Sequence, residues 1–353
     1  MVNAGPIGGL LGGLFPCVRQ PPAGFGWSPA WQVIETTPGV FTLTLVPSAL
    51  RRSTAVTLYV DVATGSDGNP GTNPLLPIKS INVAINLWTN ATIYDKTGTY
   101  PEANSWSGGV LFGAEQNIIA VSDFTTLAPG AVISQASAGV RNGWLNTALS
   151  IYVEGIAFEG GGNGVAAFWA QNAATIAMVN CTFSSGNTEG FAMSSNAAAA
   201  DHTVYLINCT MSANPGDGVD YTALGAGSTI RALEYGCTYT SNSGTGTDQG
   251  SSAHFTAGNT AVSIVRVNGR FTTNKSAGFA DVGGATVWAL GCRFVGETVG
   301  ALVDDATTAW LHGCTFGGGT TDLRAVAAAS AINIHDTNYV TTSGAGTVAR
   351  YVP

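Results

Sequence analysis

Short segments of alternating apolar and polar residues recur along the chain, and turn-forming residues separate them. Six of these segments, between residues 174 and 312, read ATIAMV, HTVYLI, STIRALE, AVSIVRV, ATVWAL and TTAWLH. Alternation with a period of two, bounded by Gly, Asn and Ser, predicts short β-strands. Because no amphipathic helical stretch interrupts them, the pattern predicts an all-β structure.

The strands belong to a degenerate repeat that can be aligned on one position. Eight copies, at intervals of 22–32 residues, have at this position Ile156, Cys181, Cys209, Cys237, Gly269, Cys292, Cys314 and Thr337. Two positions later each copy has an apolar or aromatic residue: Phe158, Phe183, Met211, Tyr239, Phe271, Phe294, Phe316 and Tyr339. The position before the aligned one is always Gly, Asn or Asp. These residue types tolerate a left-handed backbone, so a tight turn is predicted there in every copy.

The length of the repeat and its three short strands predict the fold. Three strands in 22–32 residues, without helices, are typical of one coil of a parallel β-helix. Leucine-rich repeats are excluded because their leucine signature and helical side are missing, and a propeller blade needs about 40 residues. The predicted fold class is therefore all-β, a right-handed single-stranded parallel β-helix.

A different pattern precedes the coils. Residues 58–90 predict a strand, a turn rich in Gly, Asn and Pro, and a helix from Ile78 to about Trp88, whose inner face carries Ile81, Ala84, Ile85 and Trp88. The next residues, 91–102, predict a strand and a turn that ends in GTYPE. A short helix here would cover the exposed end of the first coil.

This region resembles the N-terminal cap of the right-handed parallel β-helix superfamily, which includes pectate lyases, polygalacturonases and phage tailspikes. The matching motifs are Tyr59-Val60, Gly65-Ser66-Asp67, Asn69-Pro70-Gly71-Thr72, Pro77, Ser80-Ile81, Ala84-Ile85 and Gly98-Thr99-Tyr100-Pro101-Glu102. The resemblance implies the architecture and no particular activity. We expect residues 58–353 to form the β-helix, with the cap at 58–90 and coils at about 91–345. Residues 1–57, with a hairpin around Thr37-Pro38-Gly39, are expected to form a small N-terminal anchoring segment.

Composition restricts the possible partners. The chain of 353 residues has 13 basic and 21 acidic residues and a formal net charge of −8. Because no Lys/Arg cluster exceeds Arg51-Arg52, nucleic-acid binding is not expected. No segment is long and apolar enough to be a membrane span. The first 18 residues lack the basic region of a secretory signal and instead suggest a Gly-rich arm that docks on a partner.

Metal and cofactor sites are not predicted either. Five of the six cysteines occupy the aligned position, which indicates stacked buried thiols rather than disulfides, and no CxxC pair suggests zinc. The four histidines fall in different coils and are expected to have different orientations, without forming a metal trio: His202, His254, His312 and His335. Of the glycosylation sequons, those at Asn180 and Asn208 lie at the predicted stacked turn, where an asparagine ladder is the preferred interpretation.

Catalytic chemistry is less clearly marked. The resemblance would require a calcium-binding acidic cluster in a pectate lyase, and paired Asp, Gly-His-Gly and Arg-x-Lys motifs in a polygalacturonase, and these sets are missing. A tailspike-type glycosidase needs only two or three carboxylates. The candidates are Asp217, Asp220, Glu234, Asp248, Asp281, Asp304 and Asp305. In the alternative interpretation they are turn residues, a solvated corner and an outward strand residue.

Three functions remain as hypotheses. The first is a bacteriophage virion protein (a tailspike, head spike or fibre) that is homotrimeric, attaches to other virion proteins through residues 1–57 and recognises host-surface polysaccharide. The second is a polysaccharide-degrading glycosidase or lyase on the same fold. The third is a secreted adhesin. Most tryptophans of the coils are expected in the core or at a subunit interface, and an exposed one could stack on a sugar ring; the candidates are Trp106, Trp144, Trp169, Trp288 and Trp310.

Overall fold

The chain forms 32 β-strands and one short α-helix in the part that the structure describes. The computed structural model describes residues 31–37, 40–88, 90–101, 115–135, 143–145, 150–160, 166–171, 175–186, 188–195, 201–223, 227–243, 247–249, 262–275, 277–281, 285–304 and 307–350. A 3₁₀ turn spans Pro47–Leu50, and the helix α1 spans Ile81–Leu87.

The first strands are β1 Trp31–Thr37, β2 Val40–Leu45, β3 Val56–Val60, β4 Ala91–Lys96, β5 Gly98–Tyr100, β6 Glu115–Val121, β7 Val132–Gln135, β8 Gly143–Leu145, β9 Ser150–Glu154 and β10 Ile156–Glu159. The middle strands are β11 Phe168–Gln171, β12 Thr175–Val179, β13 Thr182–Ser184, β14 Phe191–Ser195, β15 Asp201–Ile207, β16 Thr210–Ser212, β17 Val219–Ala223, β18 Thr229–Tyr235, β19 Thr238–Thr240, β20 Thr247–Gln249 and β21 Val262–Val267. The last strands are β22 Arg270–Thr272, β23 Ala277–Asp281, β24 Thr286–Leu290, β25 Arg293–Val295, β26 Val299–Val303, β27 Thr308–His312, β28 Thr315–Gly317, β29 Thr321–Ala325, β30 Ala331–His335, β31 Thr342–Ser343 and β32 Thr347–Arg350.

The strands from β3 onward form three parallel sheets, and the chain visits them in turn. Sheet I has twelve strands in the order β3-β4-β6-β9-β12-β15-β18-β21-β24-β27-β30-β32. Sheet II has nine strands, β5-β7-β10-β13-β16-β19-β22-β25-β28, and sheet III has nine, β8-β11-β14-β17-β20-β23-β26-β29-β31. The predicted fold class is confirmed: the protein is an all-β, right-handed parallel β-helix.

The corner between sheets I and II has the backbone that the repeat predicts. Its residues have a left-handed φ between 45° and 74°: Gly155, Asn180, Asn208, Gly236, Asn268, Gly291, Gly313 and Asp336. Gly and Asn are the residues that adopt this conformation most readily, and here they turn the chain from sheet I into sheet II. The alignment inferred from the sequence is therefore the true register of the coils.

Aromatic rings and thiols fill the interior beside this corner. Phe158 stacks on Phe183 with centroids 5.3 Å apart, and Phe271 stacks on Phe294 at 4.7 Å. The five aligned cysteines are buried and free, as predicted: Cys181, Cys209, Cys237, Cys292 and Cys314. The thiol of Cys209 lies 3.3 Å from the Met178 carbonyl of the preceding coil, and burial raises its pKa. Cys17 lies outside the described residues.

The cap helix is shorter than the sequence predicts. Ile78 is extended and pairs with Val60, so α1 begins only at Ile81, after Ser80. The backbone N–H and hydroxyl of Ser80 both donate to Asp67 Oδ1, which fixes the entry to the helix. At the other end Trp88 is extended and 44% exposed, so its predicted place on the inner face is wrong.

The segment before β3 lies against the outer face of sheet I. Leu50 is buried beside Ile119, Val121 and Tyr152, and the guanidinium of Arg51 pairs with Glu154 at 2.7 Å. The peptide of Arg52 exchanges two hydrogen bonds with the amide of Asn117. These contacts place residues 50–52 on the β-helix.

The predicted hairpin in the N-terminal segment is present. β1 and β2 pair antiparallel on either side of residues 38 and 39, which lie outside the described residues. Among the described helices none is long and apolar enough to cross a membrane.

Candidate functional site

A row of equivalent positions on sheet III carries tryptophan and aspartate residues. Trp144, Trp169, Ala192, Asp220 and Asp248 occupy equivalent positions in five successive coils. We call these five positions the outer row. Their neighbours along β11, β14 and β17 are buried, as the alternation of a strand requires. Trp169, Ala192 and Asp220, the positions of the row whose side chains are described, therefore face away from the core.

The described centre of this row combines an aromatic surface with polar groups. The indole N–H of Trp169 donates to the Ser194 hydroxyl at 2.8 Å, which holds the partly exposed ring. Ala192, in the next coil, has only a methyl group and is 7% exposed. Beyond it, the carboxylate of Asp220 accepts a hydrogen bond from the Thr222 hydroxyl at 2.9 Å.

The register brings together two of the predicted acids. The backbones of Asp220 and Asp248 pair directly, so their Cα atoms are about 4.8 Å apart. The side chain of Asp248 lies outside the described residues. Asp217 lies in the turn before β17, where its carbonyl accepts the N–H of Gly190 from the preceding coil. It is thus a turn residue, as the alternative interpretation has it.

Glu234 lies inside the β-helix, so neither of its predicted places, in a surface site or as an outward strand residue, is correct. Its side chain is 2% exposed, and Oε2 accepts hydrogen bonds from Arg266 Nε at 2.9 Å and from the Tyr239 hydroxyl at 2.8 Å. Burial and the Glu234 charge raise the pKa of Tyr239. Because Asp220 points outward from the same coil, the two carboxylates cannot act on one substrate.

The remaining predicted acids contribute little to a site. Asp304 follows β26 at a partly exposed corner, where its carbonyl accepts the N–H of Thr307. Asp305 and the side chain of Asp281 lie outside the described residues. A carboxylate that the sequence analysis did not single out, Asp322, is buried and accepts the backbone N–H groups of Val340 and Thr341, so it fixes the last turns.

An asparagine ladder is present, but it lies away from the predicted turn. Asn180 and Asn208 are exposed, whereas Asn214, Asn242 and Asn274 are buried in the turns that follow sheet II. Each amide oxygen in the series accepts from the preceding coil, and each amide nitrogen donates to the next, at 2.8 Å between asparagines. Asn274, which begins a further glycosylation sequon (Asn274-Lys275-Ser276), is also buried.

The ladder ends on a carboxyl group. The amide nitrogen of Asn274 donates to Glu297 Oε1 at 3.0 Å. Burial raises the pKa of Glu297 to about 7, although the hydrogen bond from Asn274 opposes this shift. The three asparagines of the ladder and Glu297 each lie three positions after an inward residue of the repeat, namely Met211, Tyr239, Phe271 and Phe294. This constant spacing is a signal from which the sequence could have revealed the ladder.

Two of the histidines share one orientation, contrary to the sequence-based expectation. His312 and His335 pair in adjacent coils, and their rings stack with centroids 4.7 Å apart. Burial and the neighbouring His335 lower the pKa of His312. Both residues lie two positions before the aligned position, so the repeat itself contained the signal. His202 is buried near the start of β15 in sheet I, and His254 lies outside the described residues.

Comparison with known proteins supports the fold. The chain is similar to the crystal structure of pectate lyase Pel9A, with a TM-score of 0.58 and 16% identity over 84% of this chain and 78% of that one. It is also similar to a rhamnogalacturonan lyase (TM-score 0.46, 14% identity, 79% of this chain and 73% of that one). A third similar structure is ORF18 of Geobacillus virus E2 (TM-score 0.47, 10% identity, 96% of this chain and 70% of that one). No protein-family profile and no curated protein sequence matches the chain.

Proposed function

We propose that the protein is a bacteriophage virion component, a tailspike, head spike or fibre, that binds a host-surface polysaccharide along the outer row of sheet III. The observation that carries the binding proposal is the arrangement of Trp169, Ala192 and Asp220 in three successive coils. A sugar ring stacked on the indole would extend over the small alanine. Its hydroxyl groups would then donate to the aspartate carboxylate.

The polarity of the chain favours a sugar as the ligand. Only 10% of the residues are charged, so the surface offers hydroxyl and amide groups rather than ionic patches. Hydroxyl-rich polymers are recognised by such groups together with aromatic faces, and a fixed ring loses little conformational entropy on binding. The hydrogen bond from Trp169 to Ser194 supplies that fixation.

A binding assay tests the outer row directly. We expect the full chain to bind purified capsule or lipopolysaccharide polymers of its host, and Trp169→Ala to weaken the binding at least tenfold. Trp88→Ala is the matched control, because Trp88 is an exposed tryptophan on the cap, away from sheet III. Equal losses in both variants, or none in Trp169→Ala, would remove the outer row from the proposed function.

The virion role rests on the N-terminal segment. Residues 1–57 lack the coil repeat, and their first part is rich in glycine and leucine, a composition suited to close packing on a partner. We propose that this segment attaches the protein to other virion proteins and that three copies assemble. Light scattering of the purified protein is expected to give the mass of a trimer.

A truncated chain separates attachment from folding. We choose Val46 as its first residue, because Leu50, Arg51 and Arg52 contact sheet I and must stay with the β-helix. The truncated protein is expected to stay β-rich by circular dichroism and to bind polysaccharide, but to be missing from assembled particles. Normal incorporation of this chain would refute the anchoring role.

The register of Asp220 and Asp248 favours a second candidate, a glycosidase. Retaining enzymes hold two carboxyl groups about 5 Å apart, one as nucleophile and the other as acid and base, and the direct pairing of Asp220 with Asp248 allows such a spacing. Incubation with the bound polysaccharide would then release oligosaccharides, and both Asp220→Asn and Asp248→Asn would abolish the release, while Asp248→Asn would leave stacking on Trp169 intact. Intact polymer after prolonged incubation with the unmodified protein would exclude this activity on that polymer.

A further inference from the structure

Two imidazoles and a carboxylate converge on the outer face of sheet I, near its C-terminal end. His312 Nδ1 and His335 Nδ1 lie 2.9 Å apart, and the Asp336 carboxylate lies 3.2 Å from His335 Nδ1. All three potential ligand atoms lie within 4.8 Å of one another. Within the described residues, this is the one group of three such side chains with ligand atoms so close together.

The residue types at this position of the repeat change in the last two coils that have it. In the five preceding coils the position equivalent to His312 and His335 has an apolar or aromatic residue. These residues are Val179, Ile207, Tyr235, Val267 and Leu290. The following corner position also changes, from Gly or Asn in the earlier coils to Asp336, which keeps the left-handed backbone at φ 45°. Three groups able to bind metal therefore replace residues that cannot bind one strongly.

The facing nitrogens are suited to a shared cation. Only one proton can lie between two Nδ1 atoms at 2.9 Å, so at least one of them presents a lone pair toward the other. We propose that His312, His335 and Asp336 bind a divalent d-block cation, with Zn²⁺ as the representative ion. Imidazole nitrogen is a preferred ligand of such ions, and a carboxylate oxygen can complete the set.

Two of the three ligand–ligand distances are close to those of a tetrahedral site, and the third is within 4.8 Å. Ligand atoms on one Zn²⁺ at about 2.1 Å from the metal lie about 3.4 Å from each other. The two distances of 2.9 and 3.2 Å therefore need to lengthen only by a few tenths of an ångström. Since the carboxylate is 76% exposed, solvent can reach the ion. Three protein ligands leave one position for water or for a donor group of another molecule.

The repeat supplies substitutions that the sheet already accommodates. His312→Leu and His335→Leu introduce the residue found at Leu290, and Asp336→Asn introduces the residue found at Asn268. Asp201→Asn is the control, because Asp201 is an exposed carboxylate at the start of β15 in the same sheet. Circular dichroism checks that every variant keeps its β-structure.

The experiment is a calorimetric titration of the chelator-treated full chain with Zn²⁺. The proposal expects one ion per chain, at least tenfold weaker binding in either leucine variant, weaker binding in Asp336→Asn, and no change in Asp201→Asn. Visible absorption of bound Co²⁺ is expected to disappear in the same leucine variants. Zn²⁺ binding that persists in the double variant His312→Leu/His335→Leu would overturn the site. Unchanged affinity in Asp336→Asn would overturn the three-ligand assignment.

Discussion

Asn242→Ala removes the central member of the buried asparagine ladder and is the sharpest test of how the coils are held together. The Asn242 side chain takes part in four hydrogen bonds. Its oxygen accepts from the backbone N–H and the amide of Asn214, at 3.2 and 2.8 Å. Its nitrogen donates to the Met211 carbonyl at 3.3 Å and to Asn274 Oδ1 at 2.8 Å.

The expected loss follows from these four bonds. Each contributes about 1 kcal/mol net, and a buried group left without a partner costs about 1–3 kcal/mol. The amide of Asn214 keeps its bond to the Phe183 carbonyl, and Asn274 Oδ1 keeps its bond from the Asn242 N–H. Among the described residues, the backbone N–H of Asn214 has no such second partner. We therefore expect the variant to lose about 4 kcal/mol of unfolding free energy.

Unfolding in denaturant, followed by tryptophan fluorescence, measures this loss. Where unfolding is irreversible, the rate constant replaces the free energy, and a loss of 4 kcal/mol corresponds to an acceleration of up to about a thousandfold. Asn208→Gly is the control, because Asn208 is exposed at φ 52° and the next coil has Gly236 at this position. If Asn242→Ala costs less than about 1 kcal/mol, water reaches the ladder and the reasoning is refuted.

Three further predictions concern the same interior. Phe183→Ala is expected to cost about 3–5 kcal/mol because the ring is fully buried between Phe158 and Phe191; a loss below about 1 kcal/mol in the same unfolding assay would contradict its inward orientation. Burial raises the pKa of Glu297 from an ordinary value of 4.5 to about 7 in the folded chain. The folded chain therefore holds this proton more tightly than the unfolded chain, and the resulting contribution to the free energy of unfolding is complete below pH 4.5. This contribution, about 3 kcal/mol, is lost as the pH rises toward 7. Glu297→Gln is expected to flatten that profile of unfolding against pH, and an unchanged profile would exclude the linkage. Thiol titration of the denatured, unreduced protein is expected to find free thiols at Cys181, Cys209, Cys237, Cys292 and Cys314, whereas quantitative disulfide would contradict the stacked arrangement.

The sequence alone determined the architecture, because the features that define a coil are local. A left-handed corner needs Gly, Asn or Asp at one position, and the inward column needs an apolar residue two positions after the aligned one. Both requirements recur in each coil, so the register of Phe183 on Phe158 could be predicted from the aligned repeat. The helix boundary was less predictable, since the bridge between Ile78 and Val60 is a contact between distant residues.

Only the tertiary structure decided which side chains face the core of sheet I and which meet across coils. Sheet I has apolar residues on both faces, with Leu233 outside and Ala232 inside, so alternation could not show that Glu234 points inward. Arg266 compensates it from the next coil, 32 residues later, a pairing that local sequence does not contain. The same holds for the pairing of His312 with His335. Stacking of the coils brings positions that are distant along the chain to about 4.8 Å from each other. The buried ion pair and the histidine pair both form between such neighbours.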